Sequence, residues 1–262
     1  MKIIACIKQV PDSEAKVKAE NGQVAWGEAA LVINPFDEYA VEGALQQKEA
    51  TGGASSSLST VTALCLGPES ARDALKHALA MGADDAILIS DAALESLDTQ
   101  GAARVLAAAI QKIGGVDMVV FGRQSLDNGS GLTPAQTARL LGWPMLGLAG
   151  QIKVEAGSVK VERVIEEGRQ TVSAKLPAVV SVVQSIGEPR YPSFMGIRKA
   201  SKAEIPTWSL NDLGVAAPAA LVRRVELVSP PSRDTAVEII SGASPEAIAE
   251  ILADKILAEK VL

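Results

Sequence analysis

The chain has 262 residues, 48% of them hydrophobic, so it is long enough and apolar enough to bury a sizeable core. Its net charge of -6 disfavours nucleic acid and anionic membranes as partners, and its aromatic content of 3% argues against base stacking. One histidine and two cysteines disfavour histidine-based metal sites and Cys/His nucleophile pairs, so we expect no metal and no catalytic residues in the chain itself. Any chemistry is expected to be carried by a bound cofactor.

The start of the chain and its apolar runs indicate a cytoplasmic protein. The sequence opens directly on strand-like residues without a signal-peptide pattern, and no apolar run approaches the roughly 20 residues of a membrane span. Cys6 and Cys65 both lie in apolar strand-like runs. We expect them to be small buried residues rather than a disulfide or a metal pair.

Strand-like and helix-like segments alternate along the first 142 residues. The pattern predicts strands over 2–10, 31–34, 58–66, 85–90 and 117–121, and helices over 35–49, 69–81, 99–113 and 133–141. Asn34 as N-cap, followed by Pro35 and an acidic first turn, favours the first helix start. Parallel neighbouring strands need crossover helices, so this alternation predicts an α/β fold with a doubly wound, mostly parallel sheet.

The pattern changes after residue 148. The ranges 150–164 and 169–183 are strand-like, with turns at 156–157 and 166–168, and we predict antiparallel strands added to the sheet. A loop over 187–206 and an irregular arm over 207–243 precede a helix predicted over 244–260, with Ser244 as its N-cap. We therefore predict a nucleotide-binding α/β domain over 1–206, flavodoxin- or Rossmann-like, and an extended C-terminal arm ending in a helix over 207–262.

A glycine-bearing turn follows the strand 117–121 and feeds the helix 133–141. Its small and polar residues are Gly122, Asp127, Asn128, Gly129, Ser130 and Gly131. Such a turn offers backbone N–H groups and the positive end of a helix dipole, which is an anion site and most often a phosphate site. An ordinary loop that binds nothing has the same pattern, and the absence of Gly-Lys-Ser/Thr excludes a P-loop.

Three predicted loops follow parallel strands: 6–13, 66–68 and 122–133. The carboxyl ends of parallel strands share one edge of a sheet, where doubly wound folds bind their ligands. The convergence of these loops favours a nucleotide, by analogy at the level of the fold.

The loop 187–206 combines an apolar tip with flanking cations. The tip holds Tyr191, Phe194 and Met195, and the cations are Arg190, Arg198, Lys199 and Lys202. This combination on a loop is typical of a partner-binding element. The alternative is a loop folded back onto its own core.

Seven sequence pieces, in order and over nearly the whole chain, carry a resemblance to a known family. They are KQVPD (8–12), INPFDEYAVEGAL (33–45), ALAMGADDA (78–86), GRQSLDNGSG (122–131), GWP (142–144), KLPAVV (175–180) and EPRYPSFMGIRKA (188–200). Together they resemble the beta subunits of electron transfer flavoproteins, and the combination is far more specific than a glycine loop alone.

The resemblance implies a fold, a partner and a cofactor. The family's beta subunit is an electron carrier rather than an enzyme, and it pairs with an alpha subunit that holds a redox-active FAD. The heterodimer takes electrons from acyl-CoA and similar dehydrogenases of fatty acid β-oxidation and passes them to a membrane quinone oxidoreductase. The arm 207–262 is expected to wrap around the alpha subunit, and the beta subunit is expected to bury an AMP with a structural role.

The family's binding residues carry over to matching positions. The implied nucleotide contacts are Cys6, Asn34, Pro35, Phe36, Asp37, Leu66, Asp127, Asn128, Gly129, Ser130, Gly131, Leu132, Thr133 and Thr137. Phe36 also matches the aromatic residue that approaches the flavin of the alpha subunit. The implied docking residues for dehydrogenases, on the recognition loop 187–200, are Arg190, Tyr191, Phe194, Met195, Ile197 and Lys199, with Phe194 as the apolar anchor.

Three departures leave alternatives open. Ser13 stands where some members have a tyrosine near the flavin, and Val164 stands where some have an acid that holds the flavin domain of the alpha subunit. KQVPD and the serine in DNGSG also resemble branches that bind a second FAD in place of AMP and bifurcate electrons from NADH. Without the resemblance, a nucleotide-sensing module of universal-stress type remains a further alternative.

Overall fold

The computed structural model describes residues 1–20, 23–52, 59–94, 97–155, 157–222, 225–229, 231 and 237–259. The chain divides into two compact units, Met1–Glu226 and Leu227–Leu262. Among the described helices, none is both long and apolar enough to cross a membrane.

The secondary structure alternates strands and helices, as the sequence predicts. The strands are β1 (Lys2–Ile7), β2 (Gln9–Pro11), β3 (Lys18–Glu20), β4 (Gln23–Ala25), β5 (Leu31–Ile33), β6 (Thr60–Leu66), β7 (Asp85–Ile89), β8 (Met118–Gly122), β9 (Met145–Glu155), β10 (Ser158–Ile165), β11 (Gly168–Lys175), β12 (Ala178–Val182) and β13 (Thr207–Trp208). The helices are α1 (Pro35–Gly52), α2 (Arg72–Met81), α3 (Thr99–Ile113), α4 (Thr133–Leu141), α5 (Phe194–Ala200), α6 (Leu210–Leu213) and α7 (Pro245–Ala258).

Within the described residues, nine strands form one sheet in the order β11-β10-β9-β12-β8-β1-β6-β7-β13. The strands from β9 to β13 in this order pair in parallel, whereas β10 pairs antiparallel with both β9 and β11. This arrangement confirms the predicted fold class. The chain runs from β1 outward to β6 and β7, then returns across β1 to β8, so the topology switches direction between β1 and β8.

The two faces of the sheet each carry a hydrophobic core. Ile3, Ala5 and Ile7 of β1 pack in the cluster that includes the apolar residues of α1 and α2. Ile4 and Cys6 point to the opposite face, where they join the cluster that includes α3 and α4. Successive side chains of a strand alternate between faces, so this central strand is buried on both sides, as expected for a doubly wound sheet.

The first predicted strand, 2–10, is two strands that separate at Lys8. The Lys8 N–H donates to Oδ2 of Asp37 at 2.8 Å, and the Lys8 carbonyl accepts from the Asn34 N–H at 2.8 Å. Both backbone groups therefore bond to the start of α1 instead of to the main sheet. Beyond this point β2 pairs antiparallel with β5 in a small separate sheet.

The predicted antiparallel strand 169–183 is wrong in its second half. Residues 168–175 form β11, which is antiparallel to β10, but β12 lies inside the main sheet, parallel to both β8 and β9. All five residues of β12 are buried, whereas β11 is mostly exposed. Four of the five residues in AVVSV are apolar, and such a run is typical of a parallel strand that is covered on both faces.

The segment predicted as loop and arm contains regular structure. The helix α5 lies within the predicted loop 187–206, and β13 pairs with β7 at the edge of the sheet. Trp208 and Leu213 pack against the core on the α3 side, and the Lys112 ammonium lies 5.0 Å from the centre of the Trp208 ring. The start of the predicted arm therefore belongs to the α/β unit.

The second unit contains α7, whose start matches its prediction. The Ser244 side chain accepts a hydrogen bond from the Ala247 N–H at 3.3 Å and so caps the helix. Residue 58 of the predicted strand 58–66, residue 156 of the predicted turn and residue 260 of the predicted last helix lie outside the described residues.

Candidate functional site

A cleft of about 620 Å³ opens at the carboxyl ends of β1, β6, β7 and β8. Its walls come from these strand ends, from the start of α1 and from the residues that lead into α3 and α4. It therefore lies at the edge of the sheet where the topology switches direction, which is where open α/β sheets bind their ligands.

Asn34 connects the start of α1 to the glycine-bearing loop after β8. Its side chain is 1% exposed, and its Nδ2 donates to the Gln124 carbonyl at 2.8 Å. Its Oδ1 accepts from the Leu126 N–H at 3.1 Å. The amide thus satisfies two backbone groups of the loop, so Asn34 positions the loop in addition to lining the cleft.

Asp37 is a buried carboxyl group beneath the same loop. It accepts from the Lys8 N–H at 2.8 Å. Burial raises the pKa of Asp37 to about 7, although hydrogen bonds from Asn34 and from the backbones of Lys8 and Gly122 act in the opposite direction. The carboxyl group therefore changes its protonation state near neutral pH, and it does so at the wall of the cleft.

Gly122 ends β8 in close contact with the start of α1. A Cβ atom at this position would lie 2.4 Å from Oδ1 of Asp37 and 2.5 Å from the Phe36 carbonyl oxygen. Such distances are impossible for a real side chain, so glycine is required here. Gly122 lines the cleft as part of the glycine-bearing turn, and it also packs closely between β8 and α1.

The turn between β8 and α4 is held by its own side chains. Asn128 accepts from the Ser125 hydroxyl at 2.9 Å and from the Ser130 N–H at 3.2 Å. Gly129 and Gly131 both have φ of 62°, a left-handed conformation that glycine adopts without strain. These contacts give the turn a defined shape. The Ser130 hydroxyl takes part in neither of these two hydrogen bonds.

The first turn of α4 has no side-chain cap. Its N-cap residue is Leu132, and Pro134 occupies the first turn. The N-terminal N–H groups of a helix carry a partial positive charge and attract anions when no side chain satisfies them. Thr133, Pro134 and Gly131 line the cleft, so the open end of the helix borders it.

Three buried side-chain atoms near this helix start find no hydrogen-bond partner within the described chain. They are Oδ1 of Asp127, Oε1 of Gln136 and Oγ1 of Thr137. Thr137 is fully buried. Unsatisfied buried polar groups are uncommon in folded proteins and are often completed by water or a ligand.

Lys8 is a site residue that the sequence analysis missed. Its side chain lines the cleft, and its ammonium forms an ion pair with Asp127. The pair joins the end of β1 to the loop after β8 across the topological switch. Its signal was present in the KQVPD motif, where a lysine directly follows a buried strand.

The predicted nucleotide contacts divide into two groups in the structure. Those that line the cleft are Cys6, Asn34, Asp37, Leu66, Asn128, Ser130, Gly131 and Thr133. Those that lie outside its lining are Pro35, Phe36, Asp127, Gly129, Leu132 and Thr137. The first group brings together all three strand-end loops that the sequence predicted, together with the start of α1.

The cleft also has a wall that was not predicted, formed by the residues after β7. This wall includes Ser90, Asp91, Leu97, Asp98 and Thr99. Asp98 caps α3 by accepting from the Gly101 N–H at 2.7 Å, and it also accepts from the backbone of residues 221 and 222. The strand-end rule, applied to the predicted strand 85–90 as well, would have found this wall.

The two cysteines are buried, as predicted. Cys6 aligns with Leu64, Cys65 aligns with Ile7, and the two thiols belong to the cores on opposite faces of the sheet. Burial raises the pKa of Cys65 to about 12 and raises that of Cys6 well above its ordinary value. Both are free thiols with little tendency to ionise.

The predicted docking residues surround α5 and are mostly exposed. The exposed fractions are 87% for Tyr191, 80% for Phe194, 68% for Met195 and 53% for Ile197, and Lys199 is also exposed. These apolar side chains therefore do not fold back onto the core, which was the alternative reading of this loop. Arg190 differs, because its guanidinium pairs with Glu42 and Glu49 of the same chain.

These features define an α/β protein with a ligand cleft at its topological switch and a separate exposed apolar segment. Residues 23–213 match the family described as electron transfer flavoprotein domain. The chain belongs to this family.

Several curated proteins that are similar to the chain over most of its length carry names from the same family. The chain is 33% identical to the electron transfer flavoprotein subunit beta of Megasphaera elsdenii, over the full length of both chains. It is 41% identical to the subunit beta of Mycobacterium leprae (strain TN), over 81% of this chain and 80% of the relative. It is 32% identical to the caffeyl-CoA reductase-Etf complex subunit CarD of Acetobacterium woodii, again over both full lengths.

The predicted resemblance is therefore confirmed. The chain has the role of a beta subunit in a flavin-associated electron carrier, and it is not an enzyme in its own right. Beta subunits of this family pair with an alpha subunit.

Proposed function

We propose that the chain is the beta subunit of a heterodimeric, cytoplasmic electron transfer flavoprotein. It receives electrons from acyl-CoA or similar dehydrogenases and delivers them to a membrane quinone oxidoreductase. The observation that carries the proposal is the coexistence of a cleft at the strand ends and an exposed apolar segment that shares no residue with it. One site holds a cofactor, and the other docks a protein.

The cleft fits an AMP with its phosphate at the start of α4. The open helix terminus, the left-handed Gly129 and Gly131, and the Ser130 hydroxyl provide donors for a phosphate. In this role the nucleotide is structural, and it stabilises the native chain by mass action.

The residues around the cleft have distinct tasks in this arrangement. Asn34 holds the glycine-bearing loop in place through Gln124 and Leu126, and Lys8 balances the charge of Asp127 beside an incoming phosphate. Leu66 and Leu97 contribute apolar walls suited to a nucleobase. The FAD of the alpha subunit supplies the redox chemistry when it is bound, and Phe36 is proposed to face that flavin.

A second candidate is the beta subunit of an electron-bifurcating, NADH-oxidising flavoprotein, with a second FAD in place of AMP. The observation that favours it is the full-length similarity to a subunit of a caffeyl-CoA reductase-Etf complex. The KQVPD and DNGSG motifs point the same way. A phosphate site of backbone N–H groups and small residues serves either nucleotide, so the identity of the released nucleotide distinguishes the two.

The partner-facing surfaces complete the proposal. The apolar side chains of α5 and Tyr191 are proposed to dock dehydrogenases, with Phe194 as the anchor. The described part of the arm beyond residue 213 is proposed to contact the alpha subunit, since its Leu221 and Val222 are 68% and 73% exposed. Exposed large apolar groups in clusters are typical of protein interfaces.

The docking role is tested with Phe194→Ala in the purified heterodimer. We expect the variant to need about tenfold more dehydrogenase for half-maximal electron transfer, because apolar anchors often contribute 1–2 kcal/mol or more. Flavin content and subunit pairing should stay unchanged, since the side chain is 80% exposed and is not part of the cleft lining. Half-saturation at the wild-type concentration of butyryl-CoA-reduced acyl-CoA dehydrogenase would exclude Phe194 as the anchor.

A further inference from the structure

Arg190 directs all three nitrogens of its guanidinium at glutamates of its own chain. Its backbone N–H and its Nε donate to Oε2 of Glu42 at 3.1 and 2.8 Å, and its Nη2 donates to Oε1 of Glu42 at 3.0 Å. Its Nη1 and Nη2 donate to the two carboxylate oxygens of Glu49 at 2.6 and 3.3 Å. One guanidinium thus pairs in forked geometry with two glutamates of α1, an arrangement that a lysine cannot reproduce.

Glu42 makes this pairing hard to break. Its side chain is only 7% exposed. Burial by itself would raise the pKa of Glu42, but the hydrogen bonds from Arg190 outweigh it and hold the pKa below its ordinary value. A buried carboxylate that loses its partner is strongly destabilised, so Arg190 is committed to α1.

The same face of α1 holds the chain just before Arg190. Nε2 of Gln46 donates to the Ile186 carbonyl at 3.3 Å. A Cβ on Gly187 would lie 2.8 Å from that Nε2 atom, so the backbone passes close to the helix. Glu42, Gln46 and Glu49 follow one another at spacings of four and three residues, which places them on one helix face.

The far end of the segment is fixed by α5 itself. The Ser193 hydroxyl accepts from the Gly196 N–H at 2.9 Å and caps the helix. A Cβ on Gly196 would lie 2.3 Å from the Ala80 carbonyl oxygen, so α5 packs with its backbone against the end of α2. Tyr191 and Phe194 therefore extend into solvent from a segment that is anchored on both sides.

We propose that Arg190, Glu42 and Glu49 form a latch that presets the conformation of residues 190–197 for docking. In this account Arg190 positions the docking segment and does not itself bind the partner. This revises the docking role that was predicted for it. Exposed apolar side chains on a mobile segment lose conformational entropy when they dock, whereas a preset segment loses less. The cations left to steer an acidic partner are Arg198, Lys199 and Lys202, which are exposed.

The test compares Arg190→Ala, Arg190→Lys and Glu49→Gln in the purified heterodimer, with Arg169→Ala as the matched control. Arg169 of the edge strand β11 pairs with Glu162 of β10, so its removal breaks a more exposed ion pair of the same type without touching the latch. The first readout is hydrogen exchange of residues 190–200, together with chymotrypsin cleavage after Phe194. Both should accelerate in Arg190→Ala, less in Glu49→Gln, and not in the control.

The second readout rests on the proposed docking function. With butyryl-CoA-reduced acyl-CoA dehydrogenase as the electron donor, the half-saturating dehydrogenase concentration should rise roughly three- to tenfold in Arg190→Ala, the effect expected from ordering one or two more side chains. The rate at saturation should stay unchanged, and Arg190→Lys should recover part of the loss. A merely structural role would lower flavin content or the saturated rate instead.

The outcomes separate the latch from the docking function. Faster exchange with an unchanged half-saturating concentration would overturn the latch as a docking device. Unchanged exchange and cleavage in Arg190→Ala would overturn the latch itself, whatever the kinetics show. If wild type does not transfer electrons from the dehydrogenase, the proposed function fails, and the latch as a preset for docking fails with it even when exchange and cleavage accelerate.

Discussion

Asn34 and Gln124 lie 90 residues apart in the sequence, and Nδ2 of Asn34 donates a hydrogen bond to the Gln124 carbonyl oxygen at 2.8 Å. The same side chain accepts from the Leu126 N–H at 3.1 Å. One buried amide thereby joins the start of α1 to the loop that precedes α4. In the proposed function, this connection and the Lys8–Asp127 ion pair together shape the nucleotide site.

We expect Asn34→Ala to lower nucleotide affinity and stability together. The substitution leaves a partly buried carbonyl and a partly buried N–H without their partners, and an unsatisfied group costs up to about 1–3 kcal/mol when it is fully buried. The measurement is nucleotide retained per heterodimer after extensive dialysis, alongside the free energy of unfolding.

Gln47→Ala provides the matched control for this variant. Gln47 is also a buried amide on α1, but it donates to the Ile152 carbonyl at 3.1 Å, away from the cleft. It should lose stability without losing nucleotide. Equal nucleotide loss in both variants would show that Asn34 acts through stability alone.

The glycines of the same loop give a prediction that depends on backbone conformation. Gly129→Val and Gly131→Val should both lose nucleotide, because a β-branched residue is strained at φ of 62°. A Cβ at Gly131 would also lie 3.2 Å from the Arg123 carbonyl oxygen, whereas Gly129 has open space around it. Gly131→Val should therefore be the more damaging variant in nucleotide retention.

Gly157→Val serves as the control for backbone strain. Gly157 has φ of 79° in the turn between β9 and β10, with open space around it. It should suffer a similar conformational cost, about 1–2 kcal/mol, and keep its nucleotide. Full nucleotide occupancy in Gly129→Val and Gly131→Val would remove this loop from the binding site.

The raised pKa of Asp37 makes the free energy of unfolding depend on pH. The pKa of Asp37 is raised from 3.8 to about 7 by burial, so between these values the folded chain holds a proton that the unfolded chain releases. Its contribution to stability is therefore complete below about pH 4 and is lost as the pH rises to about 7, by an amount on the order of 4 kcal/mol. Asp37→Asn should flatten this part of the profile.

Asp98 provides a comparison, because its pKa is lowered and its effect on stability changes with pH in the opposite direction. Hydrogen bonds from the Gly101 and Leu221 N–H groups hold the pKa of Asp98 below 3.8, so its contribution is present at neutral pH and is lost as the pH falls through the lowered value. Asp98→Asn should flatten only the acidic limb of the profile. Denaturant unfolding of the heterodimer at intervals between pH 3 and pH 8 measures both. If Asp37→Asn keeps the wild-type slope between pH 4 and pH 7, Asp37 is ionised throughout that range.

The sequence predicted the features that depend on pattern and local chemistry. Alternating strands and helices, the cap at Ser244, and the convergence of strand-end loops follow from periodicity and capping rules. The mostly apolar run AVVSV also indicated that β12 is a parallel strand, in contrast to β11, where Val172 and Ala174 alternate with polar residues. The prediction merged the two because their strand-like residues are nearly continuous.

Other features depend on contacts distant in sequence and could not be read from it. The pairing of Lys8 with Asp127 and of Arg190 with Glu42 joins residues more than a hundred positions apart. Nor does the sequence show that Gly122 and Gly196 are required by close backbone approaches to α1 and α2. The short helix α5 was predicted as loop because Pro192 precedes it and Gly196 lies within it, although the cap Ser193 and the basic last turn were visible.

The most direct test of the account is the nucleotide content of the purified heterodimer. After denaturation, the released nucleotides are separated by chromatography and identified by mass. We predict AMP and FAD in equal amounts, with AMP lost selectively in Gly131→Val. FAD at twice the amount of the heterodimer, without AMP, would support the bifurcating alternative, and the absence of any nucleotide beyond the flavin of the alpha subunit would contradict the assignment of the cleft.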